Sequence, residues 1–387
     1  MTKGRVIVVT LSEPYPFGHV SGRWYYALLK ELVRRRYEVR CLSVTSNSRW
    51  AELAERALVP LGVDLSFHPI EAFRGRILGK LRTIRQPFSY SLSSGLRKEF
   101  AKEIRKGYDV IHLEQLWSGY LAHQKARSLV VVHHLSSLDL AGLSPFGGTR
   151  LLLNRLLVHR GERYLLRRLN NISTLSDRLA RELSLMNPKA SVYNVPFGFD
   201  PSLYPFVTDP GASNLQIGFL GNMRWTPGYL AARRLVSTIF PLIKRLVPGA
   251  KLLLGGWEAR QALHEFVDHT DVTITENVPD AQEFFRQLQV LAYPVPCGTG
   301  VKVKVLEAMA WGIPVVTTTD GVEGIHAING RDCFVADDDE AFARKVVELL
   351  RNRSLGRMLC QAARSLVENE HSPPPVVDRL EEVYAAL

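Results

Sequence analysis

Residues 297–318 read CGTGVKVKVLEAMAWGIPVVTT, and this stretch decides the fold. Gly298, Thr299 and Gly300 precede Lys302 and Lys304, Glu307 follows inside an apolar run, and Gly312 and Pro314 stand before a β-branched segment. The order predicts loop, helix, stop and strand. Thr299 is of the residue type that caps a helix N-terminus. Leu306, Ala308, Met309, Ala310 and Trp311 favour or tolerate helix. Gly312 suits the left-handed position just past a helix end, and Pro314 blocks continuation. IPVVTT then reads as a buried parallel strand. A glycine-rich loop that opens a helix in an α/β sheet is a place to hold phosphate. Helix N–H groups are unpaired there, and glycine lets an anion approach.

The same alternation runs outward in both directions. RVIVVTL is a first strand, EPYPFGHVSG a loop, RWYYALLKELVRRR an amphipathic helix and YEVRCLSV a second strand. Residues 71–106 form a basic, irregular stretch whose end reads as a helix. YDVIHLE, SLVVVHH, ISTLS and SVYNVPFG are further strands, and residues 151–169 are helical and very basic. PFVTDPGASN, residues 205–214, is turn-rich and lacks periodicity. After it come LQIGFLG, AKLLLGG, DVTITENV, VLAYPV and RDCFVAD as strands, with helices between them. Two successive βα alternations predict an α/β fold of two Rossmann-like, doubly wound domains facing across a cleft. The expected boundaries are 1–205, a linker at 206–214, a second domain at 215–370, and a last helix, 371–387, that crosses back to the first. Ligand is expected at the C-terminal ends of the strands.

Composition narrows the function. The 387 residues carry 49 Lys+Arg and 38 Asp+Glu, for a net charge of +11. The imbalance is uneven: residues 1–205 hold 31 Lys+Arg against 16 Asp+Glu, so the remainder is mildly acidic. An anionic partner is expected for the first half, with contact to anionic membrane as one form of it. Four scattered cysteines without zinc spacing predict a reducing compartment. No apolar run approaches the ~18 residues of a membrane span, and MTKGRVIVVT lacks the pattern of a signal peptide. A soluble, cytoplasmic protein is expected, with the inner face of the membrane as a possible place of work. There is no HExxH pair, no Gly-x-Ser-x-Gly elbow and no Walker loop. The first half has no GxGxxG with an acidic residue after the second strand, which argues against dinucleotide redox chemistry. No Asp-x-Asp clamp is evident, so neither metal nor cofactor is expected. The arginines lack the aromatic interleaving of single-strand platforms, so nucleic acid is not the expected partner.

The second half resembles the retaining, family 4-type nucleotide-sugar glycosyltransferases of GT-B architecture. The residues that carry the resemblance are FLGNMRWTPG (219–228) and GTGVKVKVLEAMAWGIPVVTTTDGVEG (298–324), in the manner of the bacterial branch with GxGxKxKxLEAMAxGxPVV. The first half is similar through EPYPFGHVSGR, HHLSS at 133–137, TLSD at 174–177 and VPFGFD at 195–200. The resemblance implies transfer of a sugar from a nucleoside diphosphate to an acceptor hydroxyl, with retention of configuration and without metal. The acceptor would belong to polysaccharide, glycolipid or other glycoconjugate synthesis, or be a soluble secondary metabolite. Nucleotide-sugar epimerases share the architecture and form the alternative.

The implied roles fall on specific positions. Glu307, about two turns into its helix, accepts hydrogen bonds from ribose hydroxyls. Lys302 or Lys304 compensates the diphosphate, and Lys304 shares a helix face with Glu307. Gly298, Thr299, Gly300 and Val301 offer backbone N–H groups. Arg224 supplies a cation to the phosphates, while Asn222 and Trp225 shape its loop. Gly22 lets backbone approach the donor or acceptor. His133, or its neighbour His134, contacts the transferred sugar. One departure stands out: relatives with Glu-x7-Glu have a carboxylate where this chain has Thr299.

Overall fold

A computed structural model describes residues 2–70, 92–122, 126–141, 149–207, 215–278 and 281–387. Residues 71–91 of the basic stretch and 208–214 of the expected linker lie outside the described residues. The chain divides into two compact units, Met1–Asp200 with His371–Leu387, and Pro201–Glu370.

The first unit holds β1 (Gly4–Thr10), β2 (Tyr37–Thr45), β3 (Asp64–Pro69), β4 (Val110–Glu114), β5 (Ser128–Val132), β6 (Asn171–Thr174) and β7 (Ser191–Asn194). They pair in parallel in the order β3-β2-β1-β4-β5-β6-β7. Val6, Ile7, Val8 and Val9 of β1 are fully buried, as a central parallel strand covered on both faces requires. The first helix, Val20–Arg34, buries Trp24, Tyr25, Leu28, Leu29 and Leu32, one stripe at helical spacing. The Ser48–Leu58 helix and β3 carry weaker signals that the sequence reading passes over. That helix is announced by Asn47, whose side chain accepts from the Arg49 N–H at 3.0 Å. β3 sits at the sheet edge and is only half-buried, so its pattern is faint.

The C-terminal helix, Pro373–Ala386, belongs to the first unit. Arg35, at the end of the first helix, binds Asp378 and Glu381, the latter at 2.7 Å, and Lys3 meets Glu381 at 2.8 Å. At Gly198 a Cβ would lie 1.8 Å from Cζ3 of Trp24, so only glycine lets this loop pass the indole. Gly198→Ala is therefore expected to destabilise the first unit by about 3 kcal/mol. An earlier transition in urea is the measurement.

The second unit holds β8 (Gln216–Asn222), β9 (Lys251–Trp257), β10 (Val272–Glu276), β11 (Val290–Tyr293), β12 (Val315–Thr317) and β13 (Phe334–Val335). These are also parallel, in the order β10-β9-β8-β11-β12-β13. The helix after β8, Thr226–Arg234, widens into a π turn at Leu235–Ile239 before it resumes at Phe240–Leu246. Pro241, which has no N–H to give, accounts for the break in the ladder. Arg364 ties the start of this unit down. It donates to the carbonyls of Tyr204 at 2.8 Å, Ala310 at 2.7 Å and Pro201 at 3.1 Å.

Candidate functional site

Each sheet reverses its winding once, between β1 and β4 in the first unit and between β8 and β11 in the second. The strand ends at such a switch leave a crevice where α/β proteins take ligands. The residues singled out in the second half lie in the loops after β8 and β11 and in the helix that follows the second loop, on the two sides of that switch.

The glycine loop departs from expectation in one respect. The helix starts at Val303 with Lys302 in the capping position, so Thr299 does not cap it. Gly298 explains the delay. Its φ of +131° turns the chain, and residues 298–302 form an irregular loop ahead of the helix. Lys302 is buried and folds back across this loop, its Nζ donating to the carbonyls of Gly298 at 3.2 Å and Gly300 at 2.5 Å. An ammonium held by two carbonyls closes the turn as a brace. A Cβ at Gly298 would also lie 3.3 Å from the Trp225 ring, which joins the two switch-point loops. Trp225 thus shapes the loop.

Glu307 stands just over one turn into the helix, not two, because the helix begins late. It is fully buried. Its Oε2 accepts from Lys304 Nζ at 2.5 Å, and its Oε1 lies 3.4 Å from the hydroxyl of Tyr204. Lys304 keeps 21 % of its side chain exposed, so the buried acid is linked to solvent through its lysine. Eight of the nine helix residues are buried, and the helix ends at Gly312 with φ +82° in the left-handed cap. A Cβ at Gly312 would lie 2.7 Å from the Val207 carbonyl, so this stop is also a packing requirement. Arg224 is 62 % exposed and pairs with Glu258. Its Nε donates to Glu258 Oε1 at 2.7 Å, and its guanidinium lies 5.5 Å from the Trp257 ring centre.

In the first unit, Gly22 lies in the first turn of the Val20–Arg34 helix. A Cβ there would sit 2.2 Å from the Glu13 carbonyl oxygen. The close approach that Gly22 permits is therefore to the chain's own backbone. His133 follows β5 and is nearly buried, whereas His134 is exposed. The His133 ring lies between Tyr25 and Phe197, with centroids 6.2 and 6.5 Å away.

A residue that sequence reading missed holds His133 in place. Glu114, the last residue of β4, is fully buried and accepts from three side chains. His133 Nε2 lies 2.6 Å from its Oε2, while His112 Nε2 at 2.9 Å and Trp24 Nε1 at 3.0 Å reach its Oε1. Behind His112, the Tyr384 hydroxyl of the C-terminal helix lies 2.7 Å from Nδ1. The proton positions in this chain follow from its ends. Burial pushes the Tyr384 phenol well above its ordinary value, so it stays a neutral hydroxyl. The Glu114 carboxylate can only accept, so His112 donates to it from Nε2, and the Tyr384 hydroxyl faces the other ring nitrogen. Burial by itself pushes the Glu114 carboxyl up, but the hydrogen bonds from His112 and His133 outweigh it and hold the group at about 2. A carboxylate that accepts three hydrogen bonds fixes His133 with Nε2–H inward. The signal was present: His112 and Glu114 are two apart on one face of an otherwise apolar strand, and a buried acid needs partners. Beside them, Gln115 has φ +66°, and its amide lies 3.4 Å from the Ser21 hydroxyl across the switch.

Among the described residues no group of three His, Cys, Asp or Glu is arranged to hold a metal ion. Among the same residues, no helix is long and apolar enough to cross a membrane.

Two parallel sheets of this order, each with its loops at the switch point, are the Rossmann-like domains of GT-B glycosyltransferases. Residues 21–203 match the family described as Glycosyltransferase Family 4, and residues 214–352 match Glycosyl transferases group 1. The two matches follow one another along the chain, so its first and second halves are each similar to a domain of such glycosyltransferases. It is 24 % identical over 180 residues to the capsular polysaccharide biosynthesis glycosyltransferase CapM of Staphylococcus aureus, covering 44 % of this chain and 46 % of that one. The chain spans just under half the length of the curated relatives it matches. Sucrose-phosphate synthase from Thermosynechococcus elongatus shares the fold with a TM-score of 0.69 at 15 % identity, over 99 % of both chains. Anabaena Alr3699/HepE, in complex with UDP and glucose, gives 0.68 at 15 % identity, over 99 % of this chain and 100 % of that one.

Proposed function

We propose that this chain transfers a hexose from a nucleoside-diphosphate sugar to an acceptor hydroxyl, with retention of configuration and no metal ion. The acceptor is a glycan or lipid-linked saccharide of a surface polysaccharide or other glycoconjugate, in keeping with the likeness to CapM. The observation that carries the reading is the buried Glu307–Lys304 pair, one turn behind a braced glycine loop at the switch of the second sheet. A vicinal ribose diol suits a carboxylate with two acceptor oxygens, and its hydroxyls take over the position now held by Tyr204. Lys304, the N–H groups of Gly298–Val301 and Arg224 compensate the diphosphate as its bond to the sugar breaks. Lys302 braces the loop that presents those N–H groups. His133, oriented by Glu114, steadies the sugar near the reacting carbon.

The acceptor attacks on the face from which the diphosphate leaves, and a leaving-group oxygen takes the acceptor proton. The side chains supply position and charge compensation. A panel of UDP-, GDP-, dTDP- and ADP-sugars tests the reading by thermal shift. UDP-sugars come first because HepE holds UDP-glucose. A matching donor at 100 times its dissociation constant is expected to add about 2.7 kcal/mol of stability. No shift with any donor sinks the proposal. Conversion of donor to an epimer without acceptor favours the isomerase reading instead.

A further inference from the structure

A crevice of the second unit lies at the C-terminal end of the Val303–Trp311 helix, the opposite end from the glycine loop. It encloses about 510 Å³, counting the space at its open mouth, and every residue that lines it belongs to Pro201–Glu370. Phe206, Pro314 and Leu349 give it carbon walls. Arg353 and Arg357 also line it. They are four apart at the start of the Arg353–Leu366 helix, so they share one face of it. Arg353 is half-buried and Arg357 exposed. Between them Gly356 lets this helix sit close to the strand β12, since a Cβ there would already lie 3.2 Å from Cγ of Pro314. Gln289, the residue before β11, lines the same crevice and is 5 % exposed.

Two features of this crevice call for a ligand. First, the Gln289 amide is only half satisfied. Its Nε2 donates to the Leu350 carbonyl at 2.9 Å, and its buried Oε1 has no donor among the described residues. A buried amide oxygen without a donor has lost its water and gained nothing, so such atoms are uncommon. Second, the two guanidinium groups have no acid. Among the described residues neither Arg353 nor Arg357 is in an ion pair, whereas Arg364 of the same helix is paired with Glu368 at 2.6 Å. An inorganic anion would satisfy the arginines and leave Gln289 bare. An apolar molecule would fill the walls and satisfy neither. A small molecule with an anionic group for the arginines and a hydroxyl for Gln289 satisfies all three. A phosphomonoester brings three terminal oxygens and about two negative charges at neutral pH, enough for two guanidinium forks. A carboxylate has two oxygens and one charge, which a single fork saturates. The crevice also reaches the candidate donor site through one short segment. Phe206 is its wall, Val207 N–H donates to the Trp311 carbonyl at 2.9 Å, and the Tyr204 hydroxyl lies 3.4 Å from Glu307.

We propose that this crevice is an effector site for a small hydroxylated phosphomonoester, which acts on the helix of Glu307 through Tyr204–Val207. Arg353 and Arg357 hold the phosphate, and Gln289 Oε1 accepts from the hydroxyl. Ligand binding here does not depend on the reading of the donor site.

Glycerol 3-phosphate is the probe, titrated into the full chain by calorimetry beside inorganic phosphate and glycerate. It is expected to bind about ten-fold more tightly than either, because only the ester serves both the arginines and Gln289. Arg353→Ala and Arg357→Ala are each expected to weaken it about ten-fold, and together about 100-fold. Both side chains reach solvent, so the urea transition of the double variant is expected to match wild type. In amide hydrogen exchange the probe is expected to slow peptides covering 201–207 and 303–313 in the wild-type chain and not in the double variant. Absence of binding to the wild-type chain overturns the proposal. So does inorganic phosphate bound as tightly as the ester, which leaves Gln289 without a role, or glycerate bound more tightly, which assigns the crevice to a carboxylate. Affinity that survives the double variant places the phosphate elsewhere on the chain, and unchanged exchange in both segments removes the effector role; either result overturns the proposal. Failure of every nucleotide sugar to bind, with these results for glycerol 3-phosphate intact, removes the proposed reaction and leaves this inference standing.

Discussion

Replacing Glu307 with alanine is expected to weaken nucleotide-sugar binding about 100-fold while the chain still folds. Hydrogen bonds to a charged group contribute about 1.5–3 kcal/mol each, and the ribose offers two hydroxyls to one carboxylate. The fold survives because Lys304 is partly exposed and can turn to water once its partner is gone, and the contact to Tyr204 is long. The converse change is harsher on stability. Lys304→Ala takes the cation away from a fully buried carboxylate, a loss of about 3–5 kcal/mol when one member of a buried pair is removed. The informative control is therefore Glu307→Gln with Lys304→Met, which removes both charges together. Titration calorimetry with the matching donor reads the result. Wild-type affinity in Glu307→Ala and in the double variant would falsify the donor-site assignment.

The second large effect is expected at Glu114. Glu114→Gln puts an amide where three N–H groups converge, so one of its own N–H groups must face a donor. If the amide oxygen serves Trp24 and His112, His133 must accept at Nε2 and carry its proton on Nδ1. The hydrogen bond that fixes the ring is thereby inverted, and the ring shifts. Misplacement by about 1 Å costs on the order of 100-fold in turnover. Donor affinity, which the proposed reaction assigns to residues of the second unit, is expected to stay within a few-fold. That split separates orientation of His133 from general unfolding. An imidazole nitrogen spectrum of labelled protein supplies the independent signature, since the His133 Nε2–H signal should move to Nδ1. Turnover and spectrum both like wild type would show that Glu114 supports the fold alone. Tyr384→Phe removes the far end of the chain and is expected to cost only about 1 kcal/mol of stability.

Local chemistry made much of the fold legible. The glycine, proline and β-branched residues at 297–318 announce a turn, a helix stop and a buried strand whatever surrounds them, and the stop at Gly312 falls where it was expected. The late start of the helix was not legible. Thr299 has the chemistry of a cap, but Lys302 reaches the carbonyls of Gly298 and Gly300 and holds the loop open for three more residues. That choice depends on how well an ammonium can be solvated by backbone in a buried place, which no residue type encodes alone.

The site divides along the same line. Glu307 and Lys304 are three apart on one helix, so their pairing follows from helical geometry, and sequence alone determined it. The alternation of strands and helices, and so the two sheets, was determined in the same way. Tertiary structure alone decided that Tyr204 shares the Glu307 carboxylate across 103 positions, and that Tyr384 reaches His112 across 272. It also decided that Glu114 gathers Trp24 from a helix and His133 from beyond β5, beside His112 of its own strand. Hydrogen bonds act over about 3 Å, so partners this distant along the chain become neighbours only when the fold packs their elements side by side.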